Sequence, residues 1–113
     1  MKRRTAVFSI FTKKRMDETA AKDFWAWFEE KETWIVECIY NHDQSFIWEI
    51  DKRLKPVFSY FERELEFQLG YNDVAGEFFF FHFDDRTLKR DAAAFGKMMP
   101  EDVANRWTFI LGK

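Results

Sequence analysis

Phe24-Trp25-Ala26-Trp27-Phe28 puts four large aromatics into five residues of an otherwise charged stretch. Burying one such side chain removes roughly 150–250 Å² from water, and at about 25 cal/mol per Å² the cluster outweighs any other local effect. The fold has to be built around it. Phe24, Trp27, Phe28, Trp34, Ile35, Cys38 and Ile39 recur at spacings of three and four, so they share one stripe of a helix. The spacing predicts a helix over 18–40, capped by Asp17 or Thr19, with that stripe facing the core. Lys31 alone interrupts it, and its alkyl stem can follow the core edge while the charge reaches water. Trp25 falls beside the stripe and is expected to be half exposed or to meet a second element.

Around this helix the pattern reads as β-α-α-β-β-α-β. Thr5 to Thr12 is β-branched and aromatic and reads as a first strand. Asn41-His42-Asp43 is a turn, with Asp43 or Ser45 as the next cap. A second helix carries Ile47, Ile50 and Leu54, reaching toward Phe58, with Trp48 on its flank, and Pro56 ends it near Lys55. Residues 64 to 71 alternate, Leu65, Phe67 and Leu69 against Glu64, Glu66 and Gln68, which is a strand with one wet face. Turn residues over 70–76 lead to a strand over 77–84, where Phe78-Phe79-Phe80-Phe81-His82-Phe83 is apolar on both faces. Such a strand belongs in the middle of a sheet, or has one face covered by helices and the other by a partner chain, because left bare it invites aggregation. Leu88 to Met98 reads as a third helix, closed by Pro100, and residues 106–111 as a last strand beside the hairpin. The expected fold class is α+β: a four-stranded, largely antiparallel sheet with helices on one face, in a single domain over 1–113.

Composition narrows the setting. With 113 residues, 47% hydrophobic and 34% charged, and 15 Phe, 5 Trp and 3 Tyr, the chain has material for one heavy core. Four Gly and two Pro are too few for a loop-rich all-β fold. The lone Cys38 forms no internal disulfide and excludes a multi-cysteine zinc site, which points to a reducing, cytoplasmic compartment. No signal peptide is read at the start, and no apolar window approaches the roughly 18 residues of a membrane span. Of 18 basic residues, Lys2, Arg3, Arg4, Lys13, Lys14 and Arg15 precede Met16, leaving 12 against 20 acids in the rest. These basic residues flank the first strand, about 26 Å long, so they sit at its two ends. Together with the acidic body, that placement disfavours nucleic acid.

For chemistry the best candidates are His82 and Asp84, which a continuous strand would point to the same face as an acid/base pair or two metal ligands. A third ligand is missing unless His42-Asp43 folds against that strand end. A structural histidine satisfied locally is the favoured reading. Cys38 lies on the apolar stripe and reads as a buried hydrophobe. None of Ser9, Ser45 and Ser59 lies in a Gly-flanked elbow, and no Gly-rich phosphate loop occurs. Glu62, Glu64 and Glu66 read as a solvated strand face. No catalytic residue and no cofactor are assigned.

The run from Phe24 to Glu32 resembles a class of small, uncharacterised bacterial proteins with an F-W-x-W-F-x-x-N-E helix. That class has a second helix ending near a Pro, a strand like Leu65-Glu66-Phe67, and a closing W-x-F-I strand like Trp107-Thr108-Phe109-Ile110. Lys31 stands where the class has Asn. The resemblance implies a bacterial α+β domain and carries over no catalytic residue. The functional expectation is a non-enzymatic module that binds a protein partner or forms a homodimer through an aromatic surface drawn from Trp25, Trp48, Phe78, Phe80 and Trp107. The alternative is a carrier of small apolar ligands, with a pocket between the first two helices and the sheet lined by Trp25, Trp48 and Phe79. Third comes a small enzyme or metal site at His82 and Asp84.

Overall fold

Two antiparallel strands and a parallel third form the sheet, and helices cover one of its faces. The computed structural model describes residues 15–113; the strand expected over 5–12 lies outside them. Within the described residues the order is α1 (Glu18–Tyr40), α2 (Ser45–Leu54), β1 (Glu66–Tyr71), β2 (Gly76–Phe81), α3 (Arg86–Gly96), α4 (Glu101–Arg106) and β3 (Trp107–Gly112). The α+β class is as expected, but three strands rather than four stand among the described residues, in the order β1-β2-β3. The sheet is mixed: β2 pairs antiparallel with β1 and parallel with β3.

Local chemistry explains most boundaries. The Asp17 carboxylate accepts the Ala20 N–H at 3.0 Å and starts α1. Asp43 accepts the N–H and hydroxyl of Ser45 at 2.9 and 2.7 Å, which fixes the start of α2 with Gln44 in the cap position. The helix stops at Leu54, two residues before Pro56. In the hairpin the Asn72 side chain accepts from the N–H groups of Val74 and Ala75. The second strand ends at Phe81, short of the expected Asp84, because Phe83 and Asp84 take φ of 54° and 60°. That left-handed conformation breaks strand alternation and turns the chain into α3, whose start Asp85 caps by accepting from Leu88 N–H at 2.9 Å.

The core is a web of rings centred on Phe78. Around it stand Phe24, Trp25 and Phe28 of α1, Phe67 of β1 and Phe109 of β3, all with centroids 5.3 to 6.2 Å away. Trp25 is not half exposed: it is 1% accessible, stacked on Phe95 at 4.8 Å, and its indole N–H donates to the Phe95 carbonyl at 2.9 Å. Off the main stripe of α1, it meets α3 instead of water. Gly76 makes room for Trp107, since a Cβ there would come within 2.5 Å of the indole.

Candidate interaction surface

The alternation of β2 divides its phenylalanines between two faces. Gly76, Phe78 and Phe80 are buried under the helices, while Glu77 is exposed and Phe79 and Phe81 are half-buried on the opposite side. On β1 the register sets Gln68 beside Phe79 and Glu66 beside Phe81; on β3 it sets Ile110 and Gly112 beside the same two residues. Phe79, Phe81 and Ile110 therefore form an apolar centre, rimmed by Glu66, Gln68, Glu77 and Thr108. Gly112 lets the Phe81 ring reach across the end of β3, because a Cβ there would stand 2.9 Å from it.

This arrangement corrects the expected surface. Phe78 and Phe80 are 0% accessible, Trp25 1% and Trp107 2%, so none of the four faces a partner. The reason is parity: a run of aromatics has large side chains at both odd and even positions, and only neighbouring elements decide which set goes inside. Trp48 alone of the five is exposed, at 75%, on the outer side of α2. The expected ligand pocket is not assembled either. Trp25 is in the core, Trp48 on α2 in solvent, and Phe79 on the outer sheet face. A hollow of about 290 Å³ between α1 and α2 is lined by Ala20, Asp23, Phe24, Lys52, Arg53 and Pro56 instead, and an open, more apolar groove of about 500 Å³ runs along β3, walled by Gly96, Met99, Ala104, Trp107, Phe109 and Leu111.

His82 and Asp84 do not share a face. His82 is 4% accessible and its Nδ1 accepts the backbone N–H of Asp84 at 3.0 Å, which leaves the ring proton on Nε2. Its own N–H donates to the Gly112 carbonyl and its carbonyl accepts from Asp85. The imidazole thus pins the left-handed turn, and the exposed Asp84 side chain belongs to the outside of that turn. Among the described residues no three His, Cys, Asp or Glu side chains are grouped to hold a metal ion, and no helix is long and apolar enough to cross a membrane. Cys38 is buried, and burial, with Asp43 nearby, pushes its thiol pKa up, away from the reactive thiolate. Glu62, Glu64 and Glu66 are exposed.

Two polar centres, one half-buried at Glu32 and one buried at Asp91, lie beyond the expected site residues. Glu32 accepts from Nε and Nη2 of Arg106, each at 2.7 Å, and from the Trp107 indole N–H at 2.9 Å. Asp91 receives the Tyr60 hydroxyl at 2.7 Å and the Met16 N–H at 2.9 Å, with Arg90 at 3.0 Å on its other oxygen. Burial first, then Asp91, pushes the Tyr60 phenol above its ordinary range. Both were signalled by position: Glu32 falls between Phe28 and Ile35 on the α1 stripe, and Asp91 between Leu88 and Phe95 on that of α3. An acid on an apolar stripe needs a donor. Each of these centres joins segments distant in the sequence, and Tyr60 of the second also lines an open hollow of about 310 Å³ with Phe61, Glu62, Arg63, Asp85 and Thr87. No family model matches the chain, and no match is found among curated proteins or solved structures.

Proposed function

We propose that this protein is a non-enzymatic, cytoplasmic interaction module that self-associates through the outer face of its sheet, centred on Phe79, Phe81 and Ile110. The supporting observation is the division of β2: its Phe78 and Phe80 face is filled by helices, while its Phe79 and Phe81 face presents aromatic area beside Ile110. An apolar patch with a polar rim marks an interaction site. A second copy suits it, since two sheets pack face to face about 10 Å apart with their side chains interdigitated. The same patch on both subunits makes a closed, two-fold pair. Its rim of Glu66, Gln68, Glu77 and Thr108 stays in water. The resemblance at residues 24–32 and 107–110 adds a bacterial setting to this proposal.

Analytical ultracentrifugation of the wild type and of a Phe81→Lys/Ile110→Lys double variant tests it. The wild type is expected to sediment as a dimer and the variant as a folded monomer. A wild type that stays monomeric up to about 100 μM, beyond the micromolar range typical of weak specific pairs, overturns the reading.

A further inference from the structure

The hollow between α1 and α2 carries opposite charges on its two walls. On the α1 side stand Ala20, Asp23 and Phe24, three and four residues apart and so on one face of the helix. On the other side stand Lys52 and Arg53 in the last turn of α2, with Pro56 just beyond. Arg53 is poorly used where it stands. Its guanidinium lies 4.6 Å from the centre of the Trp27 ring, its Nη2 reaches Glu49 at 3.4 Å, and its water-shielded Nε–H has no acceptor among the described residues. Arg106 shows the same group satisfied, with Nε and Nη2 both donating to the Glu32 carboxylate at 2.7 Å. A shielded donor without a partner costs free energy, most of all on a cation, so Arg53 calls for an acceptor. Asp23 does not supply it: Lys52 and Arg53 pair with Glu49 of their own helix, and among the described residues no ion pair joins either to Asp23. Pro56 adds a second acceptor to the hollow. Having no N–H, it leaves the Lys52 carbonyl, four residues back, without the donor that a continuing helix supplies.

We propose that this hollow binds a small zwitterion, a free α-amino acid, with the ligand carboxylate on Arg53 and its ammonium on Asp23. A simple anion entering the hollow would meet the Asp23 carboxylate, and a simple cation would meet Lys52 and Arg53. A ligand carrying both charges pairs both walls at once. As the Arg53 guanidinium turns toward it, a carboxylate takes the Nε–H and Nη2 fork in the manner of Glu32 on Arg106. The bonds given up to Glu49 are long and partly in solvent, so they are cheap to displace. An ammonium has three donors, which Asp23 and the Lys52 carbonyl accept, and the negative end of the α2 dipole favours it there. Ala20, Phe24 and Pro56 leave apolar surface for the ligand side chain. At about 290 Å³ the hollow falls at the small end of ligand sites, roughly 300–1,000 Å³, which suits a single amino acid. None of the six lining residues belongs to the outer sheet face, so the site stands or falls independently of self-association.

Nitrogen–proton correlation spectra of the full chain, titrated with L-alanine, L-leucine and L-methionine, test the site. The expected result is a saturable shift of the Asp23, Lys52 and Arg53 amides and of the Arg53 Nε–H signal. On the same wild-type protein, leucinamide, which lacks the carboxylate, and N-acetyl-leucine, which lacks the ammonium, should each bind roughly tenfold or more weakly than leucine. Arg53→Gln and Asp23→Asn should each weaken leucine binding by a similar factor while the rest of the spectrum stays that of the folded wild type. The two analogues probe the unaltered protein, so the outcome does not depend on either variant folding. No saturable shift with any of the three amino acids up to about 10 mM, above the millimolar range of weak specific ligands, overturns the proposal. Analogues that bind as well as leucine overturn it too, as does acetate binding as tightly as leucine, which would reduce the site to contact with an anion. Leucine binding that neither variant weakens places the ligand elsewhere and overturns it as well.

Discussion

Glu32 shows how much one side chain can organise. It sits at the exposed edge of the apolar stripe of α1, yet its two oxygens hold Arg106 of α4 and the indole of Trp107, 74 and 75 residues away. The Glu of the F-W-x-W-F-x-x-K-E stretch and the Trp of the closing strand, which the sequence shows only as two separate motifs, are thus one hydrogen-bonded unit. The Arg106 bonds hold the Glu32 carboxyl below its ordinary pKa of 4.5, against the opposing effect of burial. A folded pKa below the unfolded one gives stability that is complete above about pH 4.5 and is lost as pH falls through the folded value. Glu32→Gln keeps an acceptor for Trp107 but drops the charge. With Arg106 partly in solvent, the expected loss at pH 7 is about 1–2 kcal/mol. Urea melts at pH 7 and pH 3 check this: the gap between wild type and variant should shrink at the lower pH, and a constant gap would mean that the charge plays no part.

At the scale of elements, legibility followed how many alternatives a pattern leaves open. A 23-residue stripe with a capping acid admits one reading, and α1 runs where its spacing puts it. The Pro56 stop and the alternation of β1 were equally direct. The aromatic run of β2 was legible as a strand but not in its orientation, because alternation carries no information when both parities are apolar. Its end was hidden as well, since His82-Phe83-Asp84 continues the apolar look while two left-handed residues end the strand. The short α4 had a signal that was read only as a stop: Pro100 followed by Glu101 and Asp102 is also a helix start, a fixed φ with acids in the first turn. Gly96 shows an element rule reversed by tertiary context. Glycine inside a helix costs about 1 kcal/mol relative to alanine, so Gly96→Ala near the end of α3 would ordinarily stabilise. Here the new Cβ would run into the Phe109 ring of β3. The substitution is expected to cost about 1–3 kcal/mol through overpacking, and a rise in melting temperature would show that α3 and β3 are not held as closely as their packing indicates.

For the molecule as a whole, the division between its two sheet faces is a division of labour that adjacent residues can report. Phe78 touches rings from α1, β1 and β3, so its removal loosens three elements together. Phe79, one residue on, shares the opposite face with Ile110 and Gln68. Phe78→Ala is expected to cost about 3–5 kcal/mol, a large part of the 5–15 kcal/mol that holds a typical domain together. Unfolding should remain a single transition, because one ring web links the elements and offers no boundary along which to part. Phe79→Ala removes as many atoms but leaves that web whole, so in dilute protein it should cost about 1 kcal/mol or less. Its effect should appear instead as weaker self-association when protein concentration is raised. Denaturant melts at two protein concentrations separate the contributions. The Phe78→Ala deficit should persist at both, whereas the Phe79→Ala deficit should grow with concentration, as the wild type gains stability from pairing that the variant lacks. If both variants lose the same stability at every concentration, the outer face is part of the monomer's own core and the proposed interface is wrong.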